Sequence, residues 1–123
     1  MGETTTLYRP VGHAEFELIR ESGFTSFPPR LPEQPIFYPV VTRSYAEQIA
    51  RDWNTNDPRS GFVGYVLQFQ VRTDYLEKFP VQKAGAREHL EYWIPAEQMS
   101  QFNQNIVGKI EVIAEYRERD TNP

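Results

Sequence analysis

The sequence predicts a compact α+β domain of twisted, mainly antiparallel sheets and short helices. Three observations carry this reading. Apolar residues switch between the strand repeat and the helix repeat along the chain, in the order β-α-β-α-β-(α)-β-(α)-β. The two clearest helices come early and are short, while the long strands come late. The chain has 123 residues, enough for one ordinary domain and too few for two. Residues 1–116 are assigned to that domain and 117–123 to a polar C-terminal tail expected to fray.

Thr5 to Val11 reads as a strand, stopped by Pro10 and Gly12. His13 to Ser22 reads as a helix: Ala14 with Leu18, and Phe16 with Ile19, share faces, and Gly23 suits its C-terminal cap. Phe24 to Pro35 contains Pro28, Pro29, Pro32 and Pro35, which excludes a helix or a central strand. Its apolar neighbours Phe24, Phe27, Leu31 and Ile36 point to an irregular loop packed on its own domain. A polyproline ligand for another domain is the alternative.

Ile36 to Val41 reads as a strand. Ser44-Tyr45-Ala46-Glu47 has the capping-box form, so a helix is expected to start there. Tyr45, Ala46, Ile49, Ala50 and Trp53 form its apolar stripe, which favours core packing for Tyr45 and Trp53. Asn54 to Gly61 is rich in turn residues. Phe62 to Val71 is the strongest strand, with Val63, Tyr65, Leu67, Phe69 and Val71 on one face.

Thr73 is expected to cap a short helix reaching Phe79, and Val81 to Gly85 to be a connector. Arg87 to Pro95 follows as a strand. Pro95 then opens a helix to about Gln104. Lys109 to Tyr116 is the final strand, with Ile110, Val112 and Ala114 alternating against Glu111, Ile113 and Glu115. No internal repeat or linker is visible.

Composition excludes several functions. Net charge is −4 with both signs interspersed, so no basic stripe exists to hold a nucleic-acid backbone. There is no cysteine, which removes disulfides, thiolate nucleophiles and cysteine zinc sites. His13 and His89 are the only histidines, at a spacing that matches no metal motif. No apolar run approaches the roughly 18 residues of a membrane span. Met1 to Thr6 lacks the basic and apolar segments of a signal peptide, so a cytoplasmic location is expected. Aromatic residues make up 14% of the chain, enough to build a core despite its modest apolar content.

The candidate chemistry centres on Glu91. Strand alternation puts Leu90, Tyr92 and Ile94 on one face and His89, Glu91 and Trp93 on the other. The first face is core. The second sets a carboxylate between an imidazole and an indole, which suits a cleft for an aromatic, partly cationic ligand. Such a carboxylate either rises in pKa through desolvation or stays ionised and stabilises positive charge. A surface glutamate on a half-exposed strand is the alternative.

His89 is a candidate proton carrier or hydrogen-bond donor, or a rim histidine. Arg9, beside Tyr8 at the end of the first strand, suits a phosphate or carboxylate, or a surface salt bridge. Tyr38, Tyr45, Tyr65 and Trp53 are candidates to stack on a flat ring. No nucleophile motif, phosphate-binding glycine loop or dinucleotide fingerprint occurs. A second carboxylate, Glu88 or Glu97, working with Glu91 as an acid/base pair ranks last, because alternation turns Glu88 away from Glu91.

These residues resemble the three sparse motifs of the mono-ADP-ribosyltransferase superfamily. Leu7-Tyr8-Arg9 is similar to the aromatic-Arg element of its first strand. Gly23-Phe24-Thr25-Ser26-Phe27 resembles one form of the middle motif, with Thr25 and Ser26 as its polar residues. Ile36-Phe37-Tyr38 followed by Ser44-Tyr45-Ala46 resembles the other form. Glu91-Tyr92-Trp93-Ile94-Pro95 is similar to the late strand that carries the catalytic Glu.

The resemblance spans Leu7 to Pro95. It implies two small antiparallel sheets around a nicotinamide pocket, with NAD as substrate and cleavage of the nicotinamide–ribose bond. By that likeness Glu91 binds the ribose hydroxyls and orients the nucleophile, with His89 beside it. Tyr8 and Arg9 hold a phosphate or ribose, and Tyr38 or Tyr45 stacks on nicotinamide. His89 stands where the arginine-specific branch carries an acidic residue, which argues against arginine as acceptor. The acceptor, protein or nucleic acid, is left open, and so is whether the chain is an enzyme. The competing expectation is a non-catalytic acidic interaction module of immunity or antitoxin type, binding its partner through exposed aromatics and the proline loop.

Overall fold

A computed structural model describes residues 2–83 and 89–117. The chain opens with strand β1 (Thr4–Val11) and helix α1 (His13–Glu21). After the proline-rich loop come β2 (Ile36–Phe37), α2 (Arg43–Asp52) and two 3-10 turns, Asn54–Asn56 and Pro58–Ser60. Then follow β3 (Val63–Arg72), α3 (Thr73–Leu76), β4 (Val81–Lys83), β5 (Leu90–Tyr92) and β6 (Ile94–Pro95). A 3-10 turn at Ala96–Gln98, α4 (Met99–Gln104) and β7 (Ile106–Arg117) complete the fold. It is the α+β class expected, with small antiparallel sheets and short helices. Among the described residues no helix is long and apolar enough to cross a membrane.

β3 lies between β1 and β7 in a three-stranded antiparallel sheet. β2 pairs with β6, and β4 with β5. Val40 joins these pieces through single antiparallel bridges, to Tyr8 on one side and Glu91 on the other. Its N–H and carbonyl exchange hydrogen bonds with Tyr8 at 2.8 and 2.9 Å. Position 91 is therefore two strand spacings from β1, about 10 Å.

One register runs through the whole pairing of residues 36–41 with 90–95. Ile36 opposes Pro95, Phe37 opposes Ile94 and Val40 opposes Glu91. The same count sets Tyr38 opposite Trp93. Directly opposed residues share a face, so Tyr38, Val40, Glu91 and Trp93 point the same way.

The main core lies on the other face. Phe27, Phe37, Phe69 and Phe102 meet there with ring centroids 4.8 to 6.3 Å apart, mostly tilted or edge-on. A smaller cluster of Val40, Ala46, Ala50 and Val66 seats α2 on the sheet, with Tyr8 and Tyr45 at its edge. Close approach is required here, because a Cβ on Gly64 would lie 2.5 Å from the Ala50 carbonyl oxygen. α1 ends as expected at Gly23, whose φ of +77° closes a Schellman turn in which the Phe24 N–H donates to the Ile19 carbonyl at 3.0 Å.

Several local expectations are corrected. α2 is capped by Thr42, whose hydroxyl accepts from the Tyr45 N–H at 3.3 Å, so the helix starts before Ser44. Glu47, the acidic end of the supposed capping box, pairs with Arg43 instead. Trp53 is 67% exposed, because α2 ends at Asp52 and only Ala46 and Ala50 of its stripe are buried. Thr73 lies within α3, and its hydroxyl bonds to that of Thr5 at 2.7 Å rather than capping.

Val81–Lys83 is a strand against β5, not a connector. β7 starts at Ile106, ahead of Lys109, and its register shifts between Val66 and Leu67 of β3. Val112 thus opposes Leu67 while Ala114 opposes Val66, on the other face, and the expected alternation breaks at Ile113. Ala84 to Glu88 and residues 118–123 lie outside the described residues, and with them the start of the expected 87–95 strand, Glu88 and the tail.

Candidate functional site

An open cleft of about 420 Å³ is lined by Arg9, Pro10, Tyr38, Val40, Ile49, Glu91 and Trp93. Its floor follows from the register just described. Val40 sits between β1 and β5, and Tyr38 and Trp93 face each other at the point where the 36–41 and 90–95 segments leave regular strand geometry. Their rings meet edge-on at 90°, with centroids 6.1 Å apart. α2 supplies the far wall through Ile49.

Glu91 is half-buried and held at both oxygens. Trp93 Nε1 donates to its Oε1 at 2.9 Å, and the Tyr45 hydroxyl donates to its Oε2 at 3.3 Å. Burial first, then the negative charge of Glu91 and the hydrogen bond to it, raise the Tyr45 phenol above the usual pKa of 10.0. At neutral pH Tyr45 is therefore a neutral phenol whose hydroxyl donates to Glu91.

His89 stands behind this pair. Its ring stacks on Tyr45 at 4.2 Å and 6°, and its Nε2 lies 3.3 Å from Gln48 Oε1. It supports Tyr45 rather than lining the cleft. Tyr8 packs beside Val40 at the edge of the α2 cluster, and it does not line the cleft either.

Arg9 lines the cleft, yet its guanidinium is engaged elsewhere. Nε and Nη2 donate to the two Glu15 oxygens at 2.6 and 2.9 Å, with the arginine side chain 12% exposed. The guanidinium carbon rests 4.5 Å from the centroid of Phe37, which belongs to the main-core face.

Thr25 and Ser26 are not brought to the cleft. They sit in the turn after α1, where the Thr25 hydroxyl donates to the Ser22 carbonyl at 2.7 Å. Both of their N–H groups donate to Ser22 Oγ at 3.2 Å. Of the two segments that resemble the middle motif, only the one with Tyr38 and Tyr45 reaches Glu91.

Ile49, Gln48, Val40 and Pro10 join the site although the sequence offered none of them as a site residue. Helical spacing from Tyr45 would have found Gln48 and Ile49 once Tyr45 was placed at Glu91. Pro10 and Val40 carry no chemical signal and enter only through strand pairing.

No protein-family model, curated protein or solved structure matches this chain.

Proposed function

We propose that this chain is an NAD-dependent ADP-ribosyltransferase-like protein that breaks the nicotinamide–ribose bond and transfers ADP-ribose to an acceptor. One observation carries the reading: the Glu91 carboxylate, held by Tyr45 and Trp93, shares a cleft with the rings of Tyr38 and Trp93. The volume lies within the roughly 300–1,000 Å³ of small-molecule sites. Apolar walls and two aromatic rings suit a planar heterocycle, and a neighbouring carboxylate suits a cationic one.

Nicotinamide leaves with the electron pair of its bond to the ribose C1′, which neutralises the pyridinium. The ribose carbon gains oxocarbenium character, and Glu91 stabilises that charge through the developing positive centre or the ribose hydroxyls. The acceptor's lone pair closes the new bond at C1′, and its proton passes to solvent or to a nearby base. Tyr45 and His89 act as positioning residues that fix the carboxylate. In this reading Arg9, on the cleft wall and paired with Glu15, meets a more distant part of the dinucleotide.

Purified wild type is expected to release nicotinamide from NAD. Glu91→Gln, nearly isosteric, should lower that rate by at least about 100-fold while leaving the fold intact. No nicotinamide release together with no heat of NAD binding in a calorimeter would remove the proposal. The competing reading, a non-catalytic interaction module, draws on the exposure of Trp53. It expects both results to be negative, and loss of a partner with Trp53→Ala.

A further inference from the structure

Tyr38 and Trp93 stay 40% and 43% exposed, although their neighbours Phe37 and Ile94 are buried. Both rings line the Glu91 cleft, at 90° to each other with centroids 6.1 Å apart. Two rings at right angles make a corner, and the electron-rich face of an aromatic ring attracts a cation. Apolar surface left open in one concave place marks a binding site.

The charge of the cleft matches. Of the residues that line it, only Glu91 and Arg9 carry formal charge. Glu15 offsets Arg9 by a two-pronged pair. Arg30, over the Phe37 ring, does not line the cleft. Glu91 is bonded by two neutral donors, the Trp93 indole and the Tyr45 hydroxyl. No cation among the described residues pairs with it. The carboxylate beside the two rings is therefore open to an incoming cation.

The lining also decides which cation. Pro10, Val40 and Ile49 offer no side-chain acceptor, and both Glu91 oxygens already accept from the protein. A primary ammonium or a guanidinium would leave several N–H groups without an acceptor among these side chains, at a cost for each. A fully methylated ammonium has no N–H to satisfy, and its methyl groups pack on the rings.

We infer that Tyr38, Trp93 and Glu91 form a cage for the N-trimethylammonium head of a small, choline-like ligand. The cleft volume of about 420 Å³ suits such a molecule. The inference requires no catalysis and goes beyond the NAD reading, with which it shares only the cleft.

The test uses choline with the full chain carrying Trp53→Phe, so that Trp93 is the sole indole. At constant ionic strength choline is expected to change Trp93 emission saturably. Calorimetry should give it at least about tenfold higher affinity than its uncharged isostere, the alcohol in which carbon replaces nitrogen, because only the cation gains from rings and carboxylate. Tyr38→Leu and Glu91→Gln should each weaken choline binding by about threefold or more. Tyr38→Phe, which keeps the ring, should bind as wild type. If Tyr38→Leu does not fold, Glu91→Gln carries the test.

Equal affinity for choline and its uncharged isostere would overturn the cage. So would undiminished choline binding in folded Tyr38→Leu or Glu91→Gln, or no binding at tens of millimolar choline. Tighter binding of N-trimethyl-lysine than of choline would overturn the small-ligand assignment and move the group onto a modified side chain. Choline binding without NAD turnover would keep the cage and remove the transferase. NAD turnover without choline binding would do the opposite.

Discussion

Tyr45 is the residue on which the site's geometry turns. It bridges α2 to Glu91 and forms the surface on which His89 stacks. Its raised pKa means that the folded state favours the neutral phenol. That contribution to stability is complete below about pH 10 and is lost as pH rises through the elevated folded value. Tyr45→Phe should therefore cost up to about 1 kcal/mol at neutral pH. It should also flatten part of the decline in stability above pH 10. Urea denaturation at pH 7 and at pH 10.5 (about half a unit above the reference value) measures both effects. At this scale the sequence named Glu91, Tyr38 and Tyr45, because their chemistry is visible in one dimension. It misjudged Trp53, since a helical stripe shows which residues share a face but not where the helix stops.

Elements explain why these residues meet. The constant register between residues 36–41 and 90–95 aligns Tyr38 with Trp93 and Val40 with Glu91 on one face. Each segment reads as a strand alone, but their pairing is a long-range fact that periodicity does not encode. The irregularity in β7 was illegible for the same reason: an extra residue leaves apolar content unchanged while inverting every face beyond it. α2 is positioned by contact with β3, where Gly64 lets the helix backbone approach. Gly64→Ala would force a methyl group against the Ala50 carbonyl and should destabilise the fold by about 1–3 kcal/mol. Because Tyr45 and Ile49 ride on the same helix, it should also loosen the cleft. A lowered urea midpoint with unchanged slope checks the first effect, and weaker NAD binding checks the second.

On the scale of the whole molecule, the sheet separates two tasks. Phenylalanine rings fill one side and hold the strands together, while the other side carries the small α2 cluster and the cleft. The fold class was legible from element order alone, because alternating short helices and long strands leave few ways to bury both. The joining of separate strand pairs through Val40 was not, since a single bridge leaves no pattern in the sequence. The net charge of −4 is spread over this frame. The proposed reading therefore draws on local chemistry at Glu91 rather than on the overall charge.

Trp93 reports on the cleft directly, because its indole bonds to Glu91 and only one other tryptophan exists in the chain. In Trp53→Phe it becomes the sole indole emitter, and titration with NAD should change its fluorescence saturably as the nicotinamide ring settles against it. Emission that stays constant to millimolar NAD, in protein whose circular dichroism matches wild type, would contradict a nicotinamide site at Glu91.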